Sequence, residues 1–211
     1  MSLSDPNAEP TLVPRRIRKD PDHPASRLSK YLTITISILL ILGLTAFFAA
    51  RSFVRHALIA SLPRTDGSLT VPGLSAAVTV QRDAHGVPHI HAASLDDLIF
   101  AQGFVTAGDR LFQMDLLRRH AAGELAQVLG PELVEHDRIQ RFLQLRATAD
   151  RAISSIPAEQ LHYLETYAHG VNASIELQRS NLPLEFRFLR YEPTPWTPRD
   201  SLLVGLVMFQ D

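Results

Sequence analysis

VQRDAHGVPHIHAASLDDLIFAQGFVTAGDRLFQMDLLRRHAAGELAQVLG, residues Val80 to Gly130, contains the change of period that decides the fold. Ala77 to Arg82 and Pro88 to Ala92 are short, β-branched or alternating runs separated by the turn signal Asp83-Ala84-His85-Gly86, which predicts a β-hairpin. From Ser94 the pattern turns helical. Ser94 stands three residues before Asp97, a capping-box-like start in which the hydroxyl accepts from a free backbone N–H. Phe104, Leu111, Met114 and Leu117 then recur at helical spacings, and Gly108 marks a break between two helices.

Working outward toward the C-terminus, Pro157 suits the first turn of a further helix, where its missing N–H costs nothing. Leu161, Leu164, Ala168, Val171 and Ile175 line one face of it. Pro193, Pro195 and Pro198 force an extended turn before a last apolar run, Leu202 to Phe209. The fold class is therefore α+β, a mostly helical domain with a short N-terminal hairpin. No internal repeat or low-complexity tract is present.

Toward the N-terminus, Ser61 to Ser75 is punctuated by Pro63, Gly67, Pro72 and Gly73 and reads as a linker. Before it, Tyr31 to Ala50 has no charge over 20 residues. A helix of that length spans about 30 Å, the thickness of a bilayer core. Arg15, Arg16, Arg18, Lys19, Arg27 and Lys30 precede the segment, against Arg51, Arg55 and Arg64 after it. The positive-inside rule then places the N-terminus in the cytoplasm and the remainder outside, periplasmic or extracellular. Phe47 and Phe48 occupy the positions where a signal-peptide cleavage site wants small residues, so an uncleaved anchor is favoured over a cleaved signal. Residues 1 to 30, rich in proline and charge, read as a disordered tail. The resulting order is tail 1–30, membrane anchor 31–50, linker 51–75 and folded domain 76–211.

Composition narrows the function classes. The 21 basic residues are nearly matched by 22 acidic ones, which argues against a nucleic-acid partner. No cysteine is present, so disulfides, thiolate metal sites and cysteine nucleophiles are excluded.

Three groups of residues invite a chemical reading. His85, His89 and His91 form a potential divalent-metal site, because His89 and His91 share one face of a strand; Asp96, Asp97 and Asp109 would have to be brought in by the fold. Ser75, in Gly73-Leu74-Ser75-Ala76-Ala77, approaches a nucleophile elbow but has Ala77 where the closing glycine belongs, and a linker serine describes it better. Asp109, Arg110, Asp115, Arg118 and Arg119 form a charged set in which Asp115 meets Arg118 and Arg119 at i+3 and i+4, and a structural role is the default. No nucleophile with an adjacent base stands out.

The motifs in order are Val80-Gln81-Arg82-Asp83, Gly86-Val87-Pro88-His89-Ile90-His91-Ala92, Asp109 to Asp115, Arg118-Arg119, Gly123-Glu124-Leu125-Ala126, Asp137 with Arg141, Tyr167 to Asn172, and Leu189 to Asp200. This succession resembles the first subunit of the penicillin acylase (penicillin amidase) family, over about Val78 to Asp211. The resemblance implies an N-terminal-nucleophile hydrolase of αββα architecture, cleaving the C–N bond of N-acyl compounds such as β-lactam side chains or acyl-homoserine lactones. It places the nucleophilic serine at the N-terminus of a second subunit from the same precursor, past Asp211, so the catalytic residues are expected outside this chain. It implies calcium in the complete enzyme with no ligand assigned here, and it puts Phe209 at an apolar position of the acyl pocket. Ser2, on the tail and away from any pocket, is rejected as a nucleophile. Two alternatives stand beside this: a metal-dependent hydrolase built on His85, His89 and His91, and a non-catalytic, membrane-anchored interaction module.

Overall fold

The computed structural model describes residues 24–60, 62 and 65–209. Most of the expected tail, including Ser2, lies outside the described residues. The chain divides into two compact units, the first ending at Ser52 and the second beginning at Phe53.

The element α1, Pro24–Ala60, 37 residues long, forms the described part of the first unit and continues past Ser52. It extends past both ends of the expected 31–50 segment and takes in residues assigned above to the tail and the linker. The reason is local: no proline occurs between Pro24 and Pro63, and alanine, leucine and arginine carry the helix on. Its described side chains are solvent-facing throughout. The hydroxyls of Thr33, Thr35 and Thr45 donate to the carbonyls of Ser29, Tyr31 and Ile41 at 2.8–2.9 Å, which satisfies them within the helix. This helix is long and apolar enough to be a membrane span or a signal sequence.

Beyond the end of α1, the second unit contains the hairpin β1, Thr79–Arg82, and β2, Pro88–His91, paired antiparallel with Val80 opposite Ile90 and Gln81 opposite His89. The Asp83 carboxylate organises the turn by accepting from the backbone N–H groups of His85 and Val87. Those bonds, that of Val87 foremost, hold its carboxyl below the usual aspartate range.

Helix α2, Leu95–Ala122, begins at the expected Ser94, whose hydroxyl accepts from the Asp97 N–H at 3.1 Å. The break expected at Gly108 falls instead at Arg110, whose φ of -139° and ψ of 25° leave the helical region. Asp109, next to the kink, forks onto the Arg82 guanidinium at 2.8 and 2.9 Å and ties the helix to the hairpin. The kink resets the helical phase. Beyond it the buried stripe is Leu111, Met114, Asp115, Arg118, Ala121 and Ala122, and Leu117, one position off the stripe, remains 42% exposed.

Short helices follow: α3, Ala126–Leu129; α4, Val134–Phe142; and α5, Leu145–Ser155. Gly123 ends α2 in the left-handed region at φ 67°, and a side chain there would overlap Asp137 and Arg141, so only glycine closes this corner. Asp137 accepts from the backbone N–H groups of Leu125 and Ala126, and Arg141 donates to the Gly123 carbonyl at 2.8 Å. The chain then runs through α6, Ala158–Gln178; α7, Leu184–Leu189; and α8, Pro198–Val207. Pro157 proves to be the residue capping α6, not its first helical residue.

The core is the crossing of α2 with α6, with α8 laid against α2 and α5. At the crossing Gly103 faces the Tyr167 carbonyl and Gly170 faces the Phe100 carbonyl, both too close for any side chain. Ala107, Leu111, Met114, Ala168, Val171, Phe186 and Trp196 fill one apolar cluster, while Ala121, Ala149, Leu203 and Val207 fill a second. Among the described residues the fold is mostly helical with a small two-stranded antiparallel sheet, as expected.

Candidate functional site

The charged stripe of α2 is the most elaborated polar arrangement among the described residues. Asp115 is 1% exposed and accepts from Arg118 Nε and Nη2, Arg119 Nε and the Tyr191 hydroxyl, at 2.5–2.9 Å. Burial pushes its carboxyl up, but the adjacent Arg118 charge and the bonds from Arg119, Arg118 and Tyr191 outweigh this and hold it below the usual range. Tyr191 moves the other way: burial and its bond to Asp115 raise the phenol well above its ordinary value.

Arg118 completes the arrangement. Its Nη1 donates to the Pro195 carbonyl at 3.2 Å, and its Nη2 to the Thr194 carbonyl and hydroxyl at 2.9 and 3.0 Å. Its guanidinium carbon stands 5.2 Å from the centroid of the Trp196 ring, and that of Arg119 stands 5.2 Å from Tyr191. Asn172 grips the same turn from α6, accepting from the Trp196 N–H at 2.7 Å and donating to its carbonyl at 2.9 Å. Thr197 and Asp200 then form a reciprocal capping box that starts α8. The donors and acceptors of this network are met inside the chain, so it positions the 191–200 turn and leaves no group poised for a reaction.

The other candidates fall apart in space. His89 and His91 share the exposed face of β2, as their spacing requires, but His85 sits in the turn and the nearest carboxylate to His89 is Asp83 at 3.5 Å. Among the described residues no three His, Asp or Glu side chains converge as metal ligands. The histidine cluster is therefore not assembled as a metal site by them. Asp96 instead pairs with His162 at 3.2 Å at the rim of an open cleft of about 540 Å³ that also includes Phe100 and His169. Asp97 is buried and accepts from the N–H and hydroxyl of Ser75 at 2.7 and 2.6 Å. Those bonds hold the Asp97 carboxyl below its ordinary range and make Ser75 the pin of the linker's end, not a nucleophile. Arg110 is exposed and donates to Gln113. Phe209 follows the end of α8 and is 89% exposed.

Sequence reading assigned no roles to Asn172, Tyr191, Thr194 and Trp196, although all lie in the quoted motifs. The available signal was a lone tryptophan inside a proline-rich turn, a segment that needs outside groups to satisfy its backbone.

Comparison with known proteins places these motifs. Residues 77–211 match the family model for penicillin amidase. The chain is 46% identical over 158 residues to the penicillin acylase 2 proenzyme of Pseudomonas sp. (strain SE83), an alignment covering 73% of this chain and 20% of that protein. It is 40% identical over 144 residues to the acyl-homoserine lactone acylase QuiP of Pseudomonas aeruginosa PAO1, covering 68% and 17% respectively. The alignments thus take in a fifth or less of these relatives' length. Among solved structures, a thermostable penicillin G acylase from Alcaligenes faecalis matches with a TM-score of 0.57 at 35% identity, over 62% of this chain and 70% of that one.

Proposed function

The chain belongs to the penicillin amidase family, and from that premise we propose that it is the first-subunit portion of a membrane-anchored amide hydrolase. The substrates are N-acyl compounds, of the β-lactam or acyl-homoserine lactone type named in its relatives. The bond broken is the C–N bond of the amide. In this reading a serine at the N-terminus of a second subunit, supplied by the same precursor, attacks the carbonyl carbon. Its own α-amino group, with a pKa near about 7.7–8.0, takes the hydroxyl proton. Hydrogen-bond donors stabilise the oxyanion, the amine leaves, and water then releases the acid. α1 is the anchor, with its N-terminal end in the cytoplasm and the folded unit outside.

The present residues contribute scaffold and one wall of the acyl pocket. The observation that carries this is the Asp115–Arg118 lock on Thr194 and Pro195, which fixes where α8 starts and hence where its far end presents Phe209. An aromatic side chain left 89% exposed here suits a pocket wall that the second subunit closes. The hairpin supports the same picture, since three of the four β1 residues are exposed and two strands alone make a marginal sheet.

The test uses the full-length gene product, incubated separately with penicillin G and with an N-acyl-homoserine lactone, following the freed acid and amine by chromatography. N-terminal sequencing should find a second polypeptide beginning with serine. Phe209→Ala should lower kcat/KM by about tenfold and alter acyl-length preference. Absence of amide cleavage in a correctly folded, membrane-located product would sink the enzymatic reading.

A further inference from the structure

Helix α8 is held differently at its two ends. Its start is pinned by polar groups: Arg118 on the Thr194 and Pro195 carbonyls, Asn172 on both backbone groups of Trp196, and Arg199 Nε on the Asp150 carboxylate of α5. From Leu202 to Phe209 no charged, hydroxyl or amide side chain occurs, so the far end is held by packing alone. That packing runs through Leu203 and Val207, which enter a cluster whose buried members from α2 and α5 are all alanine: Ala121, Ala122 and Ala149. Ala149, 0% exposed, is the buried residue of α5. Phe209 is fixed to the same last turn of α8, because its N–H donates to the Leu206 carbonyl at 3.2 Å.

We propose that Ala149 is a positioning residue for acyl-chain selection: its small side chain sets how deep the last turn of α8 sits, and with it how far Phe209 reaches into the acyl pocket. This role rests on the first-subunit reading, in which Phe209 is one wall of that pocket. The separation of two packed helices follows the size of the side chains between them. Close-packed interiors transmit such a change rather than absorb it, so a larger residue at 149 has to move a helix. α5 is restrained at Arg146, which pairs with Glu124 at 2.7 Å, and at Asp150. α8 has polar restraints at its start alone, so it pivots there and the displacement is largest at the far end. In the first-subunit reading the direction of that displacement, away from α2 and α5, is toward the second subunit. Added volume at 149 therefore shortens the acyl pocket, and removed volume deepens it.

The test uses the full-length product carrying Ala149→Val or Ala149→Gly. Each is assayed on N-acyl-homoserine lactones with butanoyl, octanoyl and dodecanoyl chains and on penicillins bearing the same acyl groups. The readout is the ratio of kcat/KM for the longest chain to that for the shortest. Ala149→Val should lower this ratio roughly fivefold, and Ala149→Gly should raise it by a similar factor. The glycine variant removes volume without overpacking, so it carries the test if the valine variant fails to fold. A residue that serves stability alone changes the melting temperature and the yield of active enzyme, which scales every substrate alike and leaves the ratio unmoved. In a Phe209→Ala background the effect of Ala149→Val on the ratio should vanish, since the side chain through which it acts is gone. A ratio that stays constant across the 149 variants while Phe209→Ala shifts it would overturn the positioning role and leave the pocket wall standing. An effect that persists undiminished without the Phe209 side chain would overturn it as well. A ratio that Phe209→Ala leaves unmoved, or a wild type that cleaves no amide, would instead remove the first-subunit reading and the role of Ala149 with it.

Discussion

Arg118 directs Nε, Nη1 and Nη2 at acceptors within the chain, and that settles what the charged stripe of α2 is for. An i,i+3 pair read from spacing alone is worth a few tenths of a kcal/mol on an exposed helix. Here the pair is buried, with Asp115 at 1% and Arg118 at 6% exposure, so removing one partner strands the other. Arg118→Ala should therefore cost roughly 3–5 kcal/mol of stability, read as a shift in denaturant midpoint of the full-length protein. Tyr191→Phe removes one donor to a charged acceptor and should cost roughly 1.5–3 kcal/mol. The pH dependence follows from the depressed Asp115 value. Its contribution is fully present above the ordinary aspartate pKa of 3.8 and is lost as pH falls through the lower folded value, since the unfolded carboxyl binds its proton first. Asp115→Asn should lower stability at neutral pH and flatten the acid limb of the stability curve. An unchanged acid limb would assign the acid sensitivity to other carboxylates.

Helices α2 and α6 approach each other through Gly103 and Gly170, and at this scale backbone oxygen, not a movable side chain, fills the space a Cβ would need. Gly170→Ala must push the helices apart, opening the cluster of Ala107, Leu111, Ala168 and Val171, at a cost of about 1–3 kcal/mol or more. Adding Gly103→Ala should cost less than its single-variant value, because the first substitution has already separated the backbones. A double-variant cycle on melting temperature would detect this, and strict additivity would place the two glycines in independent contacts. Element by element, hydrophobic periodicity showed the hairpin, the Ser94 start and the buried face of α6 around Ala168 and Val171. It misplaced the break at Gly108 and took Leu117 for core. The rule follows apolar residues, whereas beyond Arg110 the buried stripe runs through Asp115 and Arg118, and a phase reset depends on an Asp109–Arg82 contact 27 residues apart in sequence. Candidate site residues were less legible for the same reason. The carboxylates of Asp97 and Asp137 serve backbone groups of Ser75, Leu125 and Ala126, and spacing alone does not show which distant backbone needs a cap.

On the scale of the whole molecule, the folded unit leaves Phe142, Phe188, Met208 and Phe209 each more than three-quarters exposed. Scattered apolar residues on a surface need no explanation, but four of the most hydrophobic side chains almost fully in water do. Under the proposed function, a second subunit packed on this unit would cover these side chains. Such a unit draws part of its stability from association, because any partner that binds only the folded form shifts the folding equilibrium. Residues 74–211 produced alone should therefore self-associate, bind a hydrophobic dye and melt over a broad range. Co-production with the remainder of the gene product should suppress the dye binding and sharpen the transition. Size-exclusion chromatography with calorimetry distinguishes the outcomes: a monomer with a sharp cooperative melt would show that the two apolar clusters suffice by themselves, and the exposed aromatics would then be free to serve recognition without being needed for the fold.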